Sequence, residues 1–168
     1  MLIVMPKKRL LAALAVLLLT AWYFLWLSDS FSRDSQILHN DKDQLILIMI
    51  DEKKLYLLED GEVVKKYTIA SGKPGYSSPI GDWKIVNKGW NWGKGFGARW
   101  LGLNVPWGSY GIHGTNQEWK IGQAVSHGCI RMRNNDVKDL YRRVDIGTSV
   151  IIRNGPYGPF GMGFKTLQ

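Results

Sequence analysis

From Gln44 to Arg153 every apolar run is short, and a turn signal follows closely on each one. Gln44–Ile50 (QLILIMI) and Lys54–Leu58 (KLYLL) are strand-length runs and read as buried strands. Asp60-Gly61 is a two-residue hairpin signal. Val63–Ala70 (VVKKYTIA) is the partner strand that it implies. Ser71–Pro79 holds two Gly, two Pro and three Ser, which makes it a loop. Asp82–Val86, Arg99–Asn104, Ser109–Ile112 and Ser149–Ile152 read as further strands. One stretch differs. Val137, Leu140, Tyr141 and Val144 fall at i, i+3, i+4 and i+7, the apolar face of a helix. Asn134 or Asn135 is placed to cap it, Asp136 lies in its first turn, and Gly147 ends the unit. Strands this close, with no helix between each pair, exclude an alternating parallel α/β sheet. The expectation is a mainly β domain of about 110 residues with one clear helix, enough to hold one core.

Ahead of that domain, Leu10–Leu27 carries no charge and a single aliphatic hydroxyl, Thr20. As a helix it spans about 27 Å, close to the hydrocarbon thickness of a bilayer. Lys7, Lys8 and Arg9 precede it, which puts the start in the cytoplasm and the rest outside. Trp22, Tyr23, Phe24 and Trp26 crowd the outer end like an interfacial belt. A cleaved signal peptide is the alternative, with Ser28 and Ser30 as small residues before Phe31. The run is longer than a usual signal core, so the expected organisation is a single-pass anchor over 1–27, a polar stalk over 28–43, a domain over 44–153 and a Gly/Pro-rich tail over 154–168. Either route exports residues 28 onward, to the cell membrane facing outward or to the medium.

The formal charge is +8, from 22 basic and 14 acidic residues. Three of the basic residues belong to the cluster before the apolar run, and the rest are interspersed with acids. No basic block, ribonucleoprotein motif or zinc-finger spacing is present, and export removes the remaining case for nucleic acid. A mildly positive exported domain suits an anionic cell envelope.

Chemistry concentrates around one residue. Cys129 is the only cysteine, which forbids an internal disulfide and a multi-cysteine zinc site. It sits in Ser126-His127-Gly128-Cys129-Ile130-Arg131. His113 sits in Gly111-Ile112-His113-Gly114-Thr115, at the end of a strand. Taken singly, a lone Cys is usually a small core residue and a lone His a satisfied polar group. Glycine-flanked turns favour a nucleophile instead: a thiol needs a base within reach, and backbone N–H groups free to bind an oxyanion. A zinc site from His113, His127 and Cys129 remains open, without a helical metal motif or an evident fourth ligand.

His113-Gly114, followed by Ser126-His127-Gly128-Cys129, resembles the signature of L,D-transpeptidases of the YkuD type: a His, a spacer, then Ser/Thr-His-Gly-Cys. The resemblance runs from Gln44 to Arg153. Lys54-Leu55-Tyr56-Leu57 with the Asp60-Gly61 turn is similar to the family's opening hairpin. Ser71-Gly72-Lys73 and Ser78-Pro79-Ile80-Gly81-Asp82-Trp83 resemble its Thr-Pro-x-Gly-x-aromatic segment, with Ser78 in place of Thr. Arg131 stands where the family often has Asn, and no wall-binding repeat module accompanies the domain.

The resemblance implies a β-sandwich-like mixed sheet with one or two short helices. It implies Cys129 as nucleophile and His113 as base and later acid. Gly114 would orient the imidazole through its carbonyl. Gly128 and Cys129 would supply oxyanion N–H groups, with His127 beside them. Ser126 and Arg131 would hold the turn or meet substrate. The substrate would be a peptidoglycan tetrapeptide stem, losing its terminal D-Ala to a thioester and ending in a 3→3 cross-link, with no metal or organic cofactor. Water as acceptor gives an L,D-carboxypeptidase, and a wall-binding module without catalysis is the third reading. Between Trp83 and Trp119 lie six of the eight Trp. Trp90 and Trp92, bracketed by Gly, are expected to line the cleft, while Trp100 suits cleft and core equally.

Overall fold

The structure, a computed structural model, describes residues 17–25, 43–90, 93, 95–155 and 165–166. Residues 17–25 are helical, within a unit spanning residues 1–42. Most of the expected membrane segment and the stalk over 28–42 lie outside the described residues. Among the described residues no helix is long and apolar enough to cross a membrane.

Residues 43–168 make the second unit. Its described strands are β1 (Gln44–Met49), β2 (Lys54–Glu59), β3 (Glu62–Gly72), β4 (Gly81–Trp90), β5 (Arg99–Leu103), β6 (Gly111–His113), β7 (Ala124–Ser126), β8 (Ile130–Met132), β9 (Ser149–Arg153) and β10 (Lys165–Thr166). A 3-10 turn covers Glu118–Lys120 and a helix covers Asn134–Arg143. The domain is mainly β, with two short helices. Asp60 and Gly61 both take positive φ, 52° and 78°, as a two-residue hairpin turn between β2 and β3 requires.

β1 pairs antiparallel with β2 and parallel with β9, so the sheet is mixed. The strand order is β10-β3-β2-β1-β9-β4-β5-β6-β8. Two long strands divide their length between different neighbours. β4 pairs first with β9 and then with β5. β3 pairs with β2, then through Ile69 and Ala70 with β8. The last pairing returns the order to β3 and closes the strands from β3 to β8 into a ring, with β10 and β7 attached to β3 outside it.

Alternation sorts the side chains. Ile46, Ile48, Leu55, Leu57, Ile69, Leu101, Ile112 and Ile130 fill the interior. Leu47, Met49, Tyr56 and Leu58 form a second cluster, so β1 is buried on both faces and reads as a continuous apolar run. The helix adds Val137 and Leu140 to the main core, its C-cap Val144 joins them, and Tyr141, the fourth residue of the periodic set, packs against them half-buried.

The start of that helix differs from expectation. Its N-cap is Arg133, and no side chain caps it there. Instead the Asn134 N–H donates to Glu118 Oε1 at 2.8 Å. A carboxylate from the 3-10 turn satisfies an orphan helix donor and opposes the helix dipole, which frees the Asn134 side chain. β7, β8 and β10 were not legible either, since two or three residues carry no period.

Truncating the helix at its buried face tests this packing. Leu140→Ala should cost about 2–5 kcal/mol in urea unfolding. Trp119→Ala, on a side chain 71% exposed, should stay within about 0.5 kcal/mol.

Candidate active site

β6 and β8 lie parallel, with Ile112 opposite Ile130 and His113 opposite Arg131. Ile112, Ile130 and Met132 enter the core. His113 and Arg131 therefore share the other face, and Cys129 immediately precedes β8. β5 places Trp100 opposite His113.

The turn before β8 is tied from within. Ser126 Oγ donates to Cys129 O at 2.6 Å and accepts the Gly128 N–H at 3.0 Å. Ser126 is fully buried, so it holds the turn and is not at hand for substrate, contrary to its expected place among the substrate-binding residues. Gly128 has φ +114°, and a Cβ there would lie 2.6 Å from Tyr110 Cε1. Only glycine suits that backbone and that contact. Because Ser126 takes the Gly128 N–H, this donor is occupied rather than free for an oxyanion as expected. Among the described residues the Cys129 N–H has no hydrogen bond.

Cys129 is half-buried, and its Sγ donates to Ser109 O across 3.9 Å. Burial pushes the thiol up, while the Gly111 backbone and the positive charge of Arg131 act the other way. His113 is 2% exposed. Trp100 stacks on its ring at 5.6 Å and 27°, and Phe96 meets it edge-on at 5.1 Å. Burial pulls its pKa from 6.5 down to about 4; the Gly114 and Phe96 backbones oppose this and Arg131 adds to it. Nδ1 lies 2.6 Å from Gly114 O. A carbonyl only accepts, so the proton of the neutral ring sits on Nδ1 and Nε2 keeps its lone pair. Burial thus favours the neutral form of both groups: a thiol and an imidazole rather than a thiolate and an imidazolium.

The other expected residues scatter. His127 is exposed and meets Tyr76 edge-on at 4.7 Å. Arg131 forms no ion pair among the described residues, and its buried Nε has no hydrogen-bond partner. His113, His127 and Cys129 do not converge, and no group of three or more His, Cys, Asp or Glu suited to a metal occurs among the described residues. Trp92 lies outside the described residues. Trp90 stands opposite Arg99, one register step from Trp100, and so faces the opposite side of the sheet from His113. There its Nε1 donates to Tyr141 OH at 3.0 Å and its ring lies under Arg99 at 4.4 Å. The structure does not bring it together with Cys129. Trp100 is both core and site: 5% exposed, stacked on His113 and hydrogen-bonded to Asn87 Oδ1 at 2.9 Å. Phe96 and Tyr110 were missed, and Asn134 was read only as a cap. Phe96 had a signal, since Gly95 and Gly97 bracket it as Gly brackets Trp92.

Residues 43–152 match the family model of the YkuD L,D-transpeptidase catalytic domain. The YkuD protein of Bacillus subtilis, whose name places it among the L,D-transpeptidases, is 47% identical over 107 residues, 64% of each chain. The chain thus spans about 64% of the length of such curated relatives. The catalytic domain of the E. faecium L,D-transpeptidase superposes with a TM-score of 0.58 at 25% identity, covering 68% of this chain and 99% of that one. An L,D-transpeptidase from Mycobacterium smegmatis shares the fold, with a TM-score of 0.57 at 23% identity over 67% of this chain and 59% of its own.

Burial of neutral His113 sets a pH dependence. Its folded pKa, about 4, lies below the ordinary 6.5. Between those values the unfolded chain binds the proton and the folded one does not, so stability falls as pH drops from 6.5 to about 4. The loss amounts to about 3 kcal/mol across the window. His113→Gln should lack this component when urea unfolding is compared at pH 7 and pH 4. Equal losses in both proteins would contradict it.

Proposed function

The chain belongs to the L,D-transpeptidase catalytic-domain family of the YkuD type, and from that premise we propose that it transfers acyl groups between peptidoglycan stems through a thioester on Cys129. The observation that carries the reading is the buried His113, fixed by Gly114 O with Nε2 left basic, on the strand beside the Cys129 segment.

In the first half-reaction Cys129 Sγ attacks the carbonyl of the third residue of a tetrapeptide stem. The thiol proton passes to His113 Nε2. The bond to the terminal D-Ala breaks, its amine takes the proton from His113, and a thioester remains. In the second, a side-chain amine of another stem attacks the thioester and gives its proton to His113. The sulfur leaves and is reprotonated, and the product is a 3→3 cross-link. A neutral resting pair avoids holding an ion pair in a desolvated pocket. The proton then moves as the C–S bond forms, which is general-base catalysis.

The Cys129 N–H is the uncommitted donor for the oxyanion. The Gly128 N–H joins it only by leaving Ser126 Oγ. The unpaired guanidinium of Arg131 suits a stem carboxylate. His127, exposed against Tyr76, lines the approach to the turn. The anchor over residues 1–27 would hold the domain outside the membrane, against the wall it acts on.

Mass spectrometry tests this on the full chain incubated with a disaccharide-tetrapeptide. A dimer lighter by one D-Ala, absent with Cys129→Ala, is the expected product. Tripeptide without dimer would make the enzyme an L,D-carboxypeptidase. No change with either protein would overturn the reading for this substrate.

A further inference from the structure

Asn134 is the first residue of the 134–143 helix, yet its side chain caps nothing there. Its Oδ1 accepts the Ala98 N–H at 2.7 Å, and its Nδ2 donates to Thr115 O at 2.8 Å. Its own N–H is held by Glu118 Oε1. One residue therefore ties three segments to the helix: the loop before β5, the turn after β6 and the 3-10 turn. Val137 and Leu140 fix the helix in the core, so the tie point is rigid.

The first two of those segments touch at the Asn134 amide. A Cβ on Gly97 would lie 2.4 Å from both Asn134 Oδ1 and the Gly114 carbonyl carbon. A Cβ on Gly114 would lie 2.3 Å from the same Oδ1. The two backbones thus pack directly on one another beside the amide. Both also lead to His113. Gly114 carries the carbonyl that accepts the hydrogen bond from Nδ1–H, and Thr115 follows it. Phe96, two residues before Ala98, lies edge-on against the imidazole.

We propose that Asn134 is a positioning residue for His113. Its amide locks the 95–98 loop against the 113–115 turn. That fixes both the carbonyl that orients the imidazole and the ring that shields it from water. The task needs one acceptor and one donor on a short, neutral, planar group, which Asn supplies and Asp, Ser or Leu does not. Asn134 acts through Gly114 and Phe96 and takes no part in bond making.

The catalytic consequence rests on the function proposed above; the positioning itself does not. It is read by NMR titration of the imidazoles of the full chain, with His113 assigned by its loss in His113→Gln. The charged or titratable groups facing His113 are Arg131 and, two residues earlier, Cys129; β5 and the 95–98 loop present Trp100 and Phe96. None of these side chains changes in Asn134→Ala, and loosening the Gly114 and Phe96 backbones would lower the midpoint, so a rise reports on lost shielding. In Asn134→Ala the midpoint should rise from about 4 toward 6.5, by roughly one unit or more, since water reaches the ring. Phe96→Leu should move it the same way. Glu118→Gln, which weakens only the helix cap, should lower stability and leave the midpoint in place. Asn134→Ser replaces the alanine variant if that fails to fold. An unchanged midpoint in a folded Asn134 variant would overturn the proposal, even if stability fell. With turnover, kcat should drop about 10-fold with KM little changed. A wild-type protein without turnover would sink the proposed function and leave the titration to decide this inference.

Discussion

Two residue pairs, Ile69 with Met132 and Ala70 with Arg131, close the sheet on itself. Without them β8 would be a three-residue edge strand hanging from β6 alone, too short to be well fixed. With them it is held on both sides. β3 also takes β7 through Ser71 and Gly72. The turn that bears Cys129 is therefore suspended between two strands that both pair with β3, one on each side of it in sequence. Parallel pairing with β6 then sets His113 opposite Arg131. A reactive group on a loop gains its precision from such supports, and here a single long strand supplies most of them.

The same closure creates an electrostatic problem. A thiol and an imidazole that lie deep in packed protein lose hydration, and desolvation disfavours their charged forms. Trp100 and Phe96 make this acute for His113, because aromatic faces offer no hydrogen bond to a charged ring. The backbone hydrogen bond at Gly114 O is the compensation. It satisfies Nδ1–H in the neutral ring and leaves the opposite nitrogen basic. Burial and orientation are thus two outcomes of one packing arrangement. The cost is a weaker base, which suits proton transfer coupled to bond formation better than a standing ion pair.

Much of the fold was legible because burial imposes period. β1, β2, the body of β3, β5 and β9 begin or end within a residue or two of their apolar runs, and Asp60-Gly61 turned where its composition required. The helix was legible from Val137, Leu140 and Val144. What escaped has no period. β7 and β8 are three residues each, and the partner they share, β3, lies over 50 residues earlier in sequence. Of the site, Cys129 and His113 stood out through glycine and residue type. Ser126 was left open between turn and substrate because its chemistry suits both, and only its complete burial and its bonds within the turn separate the two. Trp90 was misjudged because Gly flanks it, while strand parity, invisible without knowing the β4–β5 register, turns it away from His113. Asn134 was noticed for the wrong reason. A short amide before an apolar helical face reads as a cap, and nothing local says that Glu118 has taken that task.

Apart from the Glu118 carboxylate on the Asn134 N–H, the bonds that hold the site are of one kind. Ser126 to Gly128 and Cys129, His113 to Gly114, Asn134 to Ala98 and Thr115 are all neutral side chains bonded to backbone. The ion pairs among the described residues lie elsewhere: Asp139 with Lys65, Arg142 and Arg143 on the helix, Lys88 with Asp145, and Arg153 with Asp82. At the surface such pairs contribute little, about 0–1 kcal/mol each, and salt screens them. Placed beside His113 a carboxylate would favour the imidazolium and remove the free lone pair. A second cation beside Arg131 would press the thiol toward thiolate before substrate arrives. Neutral donors and acceptors fix geometry without biasing either proton. Arg131 is the exception, a charge admitted to the site without a counter-ion among the described residues, and that imbalance is what an incoming carboxylate would correct.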